Sequence, residues 1–184
     1  WSTETFLGTL SGRVSPRFFL DVGSRPVLHP KTQDHCPQSF ARAHRVMAGD
    51  IRIGSLTFGG VPPNWHADPM THVEWPITFH GDIRLRDRDE IGDVRAVWEV
   101  NRQQWMFDVA FCYSATEDDR YAQFIETAVD HWIDANPIDC GVNWKSGMEA
   151  AIRAQTWIWL AFLMCRSERP RLSVALVQGI WSHV

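Results

Sequence analysis

From residue 93 onward the chain repeats one pattern: amphipathic stretches with helical spacing, joined by short connectors. Helices joined this way must fold back on one another as antiparallel hairpins, because a short connector leaves no other neighbour within reach. The spacing predicts four such helices. The first runs from about Val94 to Ser114, with Val94, Val97, Trp98, Trp105, Val109 and Cys112 near one stripe. The second runs from about Asp118 to Ala135 and carries Tyr121, Phe124, Ile125, Ala128 and Trp132; Thr116 and Asp119 make a weak cap, and Pro137 closes it. The third runs from about Gly147 to Cys165, with Met148, Ala151, Ile152, Gln155, Trp159 and Phe162 on one face and a capping-box pattern at Ser146 and Glu149. The fourth begins near Pro170 and carries Leu172, Ala175, Leu176 and Ile180, with no stop signal after it. The expected fold is therefore mainly α: antiparallel helical hairpins forming part of an (α/α) toroid or solenoid, with the rest of the ring lying beyond this sequence.

Residues 1–92 form a second region, expected to be long and irregular. Pro16, Pro26 and Pro30 interrupt any pattern in its first third. A helix is expected over residues 37–48, with Phe40, Ala43, His44 and Met47 on one side and Gly49 as its stop. Ile51, Ile53 and Phe58 suggest a short extended stretch. Residues 59–92 are rich in Pro and Gly yet hold Trp65 and Trp75, the mark of a long loop packed down by its own side chains.

Composition removes several classes of function. Hydrophobic residues make up 45% and charged residues 22%, enough to build a core and too apolar for a disordered tail. The net charge of -4 leaves no basic balance for a nucleic-acid partner. No window approaches the ~20 apolar residues of a membrane span; the richest run, Thr156 to Cys165, is too short. The four cysteines, Cys36, Cys112, Cys140 and Cys165, form no Cys-x-x-Cys pair and no zinc spacing. Cys112 and Cys165 fall in apolar helical patterns and are expected in the core, while a Cys36–Cys140 disulfide is open in an oxidising compartment. His66, Asp68, His72 and Glu74 form a loose acid and imidazole cluster whose spacing matches no metal motif, so neither a metal nor a cofactor is expected.

Five separated segments, in one order, carry a resemblance. They are Asn64-Trp65-His66-Ala67-Asp68-Pro69 with Trp75-Pro76; Gly92 to Arg102; Tyr121-Ala122; Trp132-Ile133-Asp134-Ala135-Asn136-Pro137; and Gly141 to Arg153 with Asn143-Trp144-Lys145-Ser146-Gly147 inside it. Together they resemble the heparinase II/III-like polysaccharide lyases over about residues 40–165. The resemblance implies the N-terminal α/α toroid of such a protein, normally followed by a C-terminal β-sandwich. It implies cleavage of acidic polysaccharides such as heparan sulfate or alginate by β-elimination, with a catalytic Asn and Tyr later in the toroid and a His in or near the sandwich. It also implies the periplasm or cell envelope of a bacterium. The chain departs from the family after Asn101-Arg102, where a His often follows and this sequence has Gln103-Gln104-Trp105.

β-Elimination across a uronate needs a neutralised carboxylate, a base for the adjacent C–H, and an acid for the leaving oxygen. Tyr121 sits on an apolar stripe and Tyr113 at a helix end, both expected as packing residues, so no catalytic residue is assigned and the piece alone is expected to be inactive. Binding has better candidates. Asn143 and Trp144 precede a helix N-terminus, which suits an anion, and also suit a turn that seals the helix pair. Glu149, Arg153 and Trp157 fall at i, i+4 and i+8; Glu149–Arg153 is either an ion pair or leaves Arg153 aimed at a carboxylate or sulfate. Asn101 is a poor helix former within a helix, beside Arg102, which Glu99 can pair. Trp65 and His66 either anchor their loop or line the toroid mouth. The expected substrate-binding set is thus Trp65, His66, Asn101, Arg102, Asn143, Trp144, Glu149, Arg153 and Trp157. On that reading Arg153→Ala weakens binding of an acidic oligosaccharide at little structural cost. Two other functions use the same scaffold: non-catalytic glycan binding or surface-polysaccharide assembly, and a toroid glycoside hydrolase with Glu99 and Glu149 as its carboxylates.

Overall fold

The computed structural model describes Asp34, residues 36–85 and 92–165, Arg171 and residues 173–183. The described chain is mainly helical, with one small two-stranded sheet. Helix α1 spans Pro37–Met47 with proline in its first turn, where a missing N–H costs nothing. It buries Phe40, Ala43 and Val46, while His44 faces outward. A hairpin follows, β1 (Asp50–Ile53) against β2 (Leu56–Gly59), with Asp50 opposite Gly59 and Ile53 opposite Leu56. The expected extended stretch is therefore a closed hairpin, with Ile51 and Phe58 paired and buried.

The long loop after β2 is pinned at both tryptophans. Trp65 and Trp75 are almost fully buried, and the loop crosses itself through an Ala67–Glu74 bridge. Asp68 does much of the fastening. One carboxylate oxygen accepts from the Met70 and Thr71 N–H groups, and the other from the Asp93 N–H at 2.7 Å. Gly92 is required at that junction. Its φ is 86°, and a Cβ there would come within 2.3 Å of the Asp68 carboxylate.

Helix α2 (Val94–Asn101) starts on an Asp93 cap that accepts from the Arg95 N–H. The single helix expected over 94–114 is two. Gln103 takes a left-handed φ of 59°, a short 3₁₀ turn follows, and α3 (Phe107–Thr116) sets off anew. Glu117, at φ 56°, ends α3, and Asp118 caps α4 (Asp119–Ala135) by accepting from the Arg120 N–H. The cap is thus Asp118 rather than the Thr116–Asp119 pair. Helix α5 (Gly147–Cys165) has the expected bounds, and α6 (Val174–Ser182) starts on Ser173, whose hydroxyl accepts from the Leu176 N–H. Pro170 and Leu172 lie outside the described residues.

Helix α3 is the hub, packing on α1, α4 and α5, and α4 and α5 both pack on α6. The contacts run α3–α4–α6–α5 and back to α3, around a core that includes Val109, Cys112, Ile125, Trp132, Trp157, Leu160 and Leu176. A smaller core of Trp75, Ile83, Val94, Val97 and Val142 seats the loop on α2. Burial raises the Cys112 thiol to about 12, so it is inert packing. Cys165 is exposed rather than core, and Cys36 and Cys140 are free thiols. Among the described residues no helix is long and apolar enough to cross a membrane.

Helix α5 reverses its expected orientation. Met148, Ala151 and Gln155 are exposed, and Ile152, Trp159 and Phe162 only half-buried. The face turned inward holds Glu149, Arg153, Thr156, Trp157, Leu160 and Met164. That face carries Trp157, Leu160 and Met164, whose burial favours it, and there Glu149 and Arg153 find partners on other elements, while Thr156 bonds the Ile152 carbonyl of its own helix.

Candidate functional site

The site is assembled around one backbone carbonyl. The Trp65 oxygen, in the loop, accepts from the side-chain amides of Asn101 (2.8 Å) and Asn143 (3.2 Å). Asn101 also donates to the Val97 carbonyl, and its own oxygen accepts from the Trp132 indole N–H at 2.7 Å. Asn143 donates to the Asn136 side-chain oxygen, and the Asn136 amide donates to the Trp132 carbonyl. The Trp144 indole N–H reaches the Asn136 carbonyl. Three asparagines therefore tie the loop, the end of α2, the end of α4 and the turn before α5 into one closed net. That explains an asparagine in the last turn of α2: it trades helix propensity for satisfied buried amides. Among the described residues, four buried side-chain atoms are left without a partner: Asn143 Oδ1 and Gln103 Nε2 here, and His66 Nδ1 and Trp75 Nε1 in the loop.

Beside the net lie two arginines. Arg102, the residue that ends α2, grips both Glu149 oxygens, Nε to Oε2 at 2.7 Å and a terminal nitrogen to Oε1 at 2.8 Å, and pairs with Glu99 as well. The Glu149 carboxylate raises the Arg102 guanidinium above its usual range. Neither the capping box nor the Glu149–Arg153 pair is what Glu149 makes; its buried carboxylate belongs to Arg102.

Arg153 is 1% exposed, and among the described residues it makes no ion pair, though the Glu149 carboxylate acts on it through space. Its guanidinium lies 4.1 Å from the Trp132 ring centre and 5.4 Å from that of Trp144. Nε donates to His183 Nε2 at 2.8 Å, and a terminal nitrogen donates to the Asn143 carbonyl at 3.1 Å. Burial pulls its pKa down to about 9, which still leaves it cationic at neutral pH. His183 sits among three indoles, 4.7 Å from Trp144 in a near-stacked pose, 5.0 Å from Trp157 and 5.7 Å from Trp132. Burial, with the Arg153 charge beside it, pushes the imidazole down to about 4, so at neutral pH Nε2 is an acceptor.

Eight of the nine expected residues come together here, namely Trp65, Asn101, Arg102, Asn143, Trp144, Glu149, Arg153 and Trp157. His66 stands at the edge, Nε2 on the Ala135 carbonyl, with burial lowering its pKa. The eight line no open cleft but form a closed cluster, in which Arg102, Trp144 and His183 keep partial exposure. Trp157 points inward and donates to the Gln103 side chain at 2.6 Å, which is why the chain turns left-handed at Gln103. Trp132, Asn136, Gln103 and His183 belong to the cluster and were not in the expected set. Trp132 and Asn136 fell inside a quoted segment but looked like stripe and helix end, and nothing near His183 in the sequence marks it. Of the acid and imidazole cluster, Asp68 binds backbone N–H groups and Glu74 accepts from Asn64; among the described residues no group of three metal-ligating side chains forms. Tyr113 and Tyr121 are buried, the Tyr121 hydroxyl lying 2.9 Å from His44 Nε2.

A mainly helical scaffold that buries a tryptophan-rich, arginine-bearing cluster at its helix ends thus defines the class of protein. The family described as Heparinase II/III N-terminus matches residues 58–178, more than half of the chain, and the chain belongs to that family. The matched stretch takes in the whole loop, the asparagine net and both arginines. No curated protein and no solved structure matches the chain. Family membership relates the chain to polysaccharide lyases.

Proposed function

We propose that the chain is the saccharide-holding N-terminal portion of a heparinase II/III-like polysaccharide lyase, part of an (α/α) toroid that binds a uronate-containing polysaccharide. β-Elimination would be carried out by residues downstream of this chain, on the rest of the toroid and a β-sandwich, in the periplasm or cell envelope. One observation supports the acidic ligand above the others: Arg153 is a buried cation flanked by indole rings and, among the described residues, held in no ion pair. Indole faces suit the C–H faces of sugar rings, and a planar guanidinium suits a carboxylate or sulfate. Arg102, already held by Glu99 and Glu149, is a weaker candidate.

The test uses the full-length gene product with alginate and heparan sulfate. A lyase leaves an unsaturated sugar that absorbs in the ultraviolet. Chain shortening without that absorbance would mean hydrolysis, and retention of polymer without shortening would mean a binding or assembly protein. Glu99 and Glu149 as a hydrolase pair are disfavoured, because Arg102 already engages both carboxylates.

A further inference from the structure

His183 imitates a ligand. Its ring lies on Trp144 at 30° between planes, as a sugar ring would stack. Its Nε2 lone pair takes the Arg153 Nε–H, the position a carboxylate oxygen would take. On its far side Nδ1 lies 2.7 Å from the Gly179 carbonyl, which fixes the tautomer with Nε2 bare. The ring is uncharged where it lies, so it fills the place without neutralising Arg153. A ring face on an indole and an acceptor on the guanidinium are the two features that a uronate would supply, through its C–H face and its carboxylate, and only the negative charge is missing.

The plug lies at the rim of the cluster, where Trp144 and His183 are both half-buried. The His183 backbone N–H donates to the Ile180 carbonyl at 3.1 Å, with the Trp181 carbonyl as a second acceptor. The Ser182 hydroxyl donates to the Gly179 carbonyl and lies 3.1 Å from His183 Nδ1. The wall behind it is rigid by contrast. Gly179 packs so closely on Trp157 that a Cβ would come within 2.1 Å of the ring, and Trp132 is tied to Asn101. Rotation of the half-buried His183 side chain away from Trp144 would therefore expose a preformed seat without disturbing the core.

We propose that Trp144 and Arg153 form the seat for one uronate residue, and that the His183 imidazole occupies this seat until an acidic sugar displaces it. The inference rests on the polysaccharide reading above and adds to it a specific subsite and a self-occluding residue. The probes are a β-1,4-mannuronate tetrasaccharide and the mannose tetrasaccharide of the same linkage, followed by tryptophan fluorescence. His183→Ala should bind the mannuronate about tenfold tighter than the unaltered chain, the gain expected if the seat is open about one time in ten. The mannose form should show no such gain, and added imidazole should compete in the variant. A second measurement needs no variant. In the unaltered chain the His183 ring protons lie against indole faces, and titration with mannuronate should move their NMR signals to ordinary imidazole positions. Mannuronate binding with equal affinity in both proteins, or with the His183 signals unmoved, overturns the plug and leaves acidic-polysaccharide binding standing. Absence of binding in both proteins overturns the seat and the saccharide reading together.

Discussion

Arg102 and Arg153 meet the same helix, α5, in opposite chemistry. Arg102 lies at the rim, partly exposed, with Glu149 and Glu99 both on its guanidinium. Arg153 lies one turn further along α5 from Glu149, fully buried, with indole faces, a carbonyl and an imidazole in place of any carboxylate. The first is a completed ion pair that fastens α2 to α5. On the proposed reading the second is a charge in reserve, stabilised by π faces and by neutral acceptors that a charged ligand could replace. Position on the helix does not separate the two roles; the ownership of the Glu149 carboxylate does.

Removing Arg153 tests that contrast most strongly. Arg153→Ala opens a cavity beside two indoles and strips the donor from His183 and the Asn143 carbonyl, so it should destabilise by about 3–5 kcal/mol. The mild structural cost expected from sequence alone does not survive the burial of this side chain. Arg153→Met, which keeps most of the volume without the charge, should recover a large part of that loss in urea denaturation while leaving acidic-sugar affinity low. A variant that loses stability and keeps its affinity would place the reserve charge elsewhere. Next in size is Asn101→Ala, which orphans the Trp132 indole N–H and one of the two donors on Trp65; about 2–3 kcal/mol should be lost. Its distinguishing sign is loosening of the loop, read as faster proteolysis near Trp65. Smaller again is Glu149→Gln. It leaves Arg102 with Glu99 and one neutral acceptor, for a loss of about 1–2 kcal/mol. If Arg102 is purely a fastener, binding of the mannuronate tetrasaccharide should be unchanged.

The helices were legible because their signals are local. The helix over residues 37–48, the start of α4 near Asp118 and the bounds of α5 follow from apolar spacing. What failed was anything decided at a distance. The break at Gln103 carries no Gly or Pro; it exists because Trp157, on another helix, needs an acceptor there. The face of α5 was misassigned because that helix is apolar nearly all round, and its few polar residues, Glu149 and Arg153, turn inward to partners on other elements. Asn101 and Asn143 could be flagged as residues out of place, and they are the centre of the net. Trp132 looked like packing and His183 like nothing at all, since their roles arise only where α4, α5 and α6 meet.

The finest test of the contrast is acid. The His183 pKa lies at about 4 in the folded chain against an ordinary 6.5. An unfolded chain therefore takes up a proton between these values that the folded chain refuses, so stability rises with pH across that window. The contribution is fully present above about pH 6.5 and is lost as the pH falls toward 4. The charged group facing the ring is Arg153 on α5, itself under the field of Glu149, and the other neighbours, Trp132, Trp144 and Trp157, do not titrate. Carboxylates across the molecule titrate over the same range, but they do so in both proteins being compared. Melting temperature should therefore fall less steeply from pH 6.5 to 4 in His183→Phe than in the unaltered chain, because phenylalanine keeps the ring and loses the proton. Parallel slopes for the two chains would mean that His183 is already open to water, and that Arg153 is not kept waiting behind it.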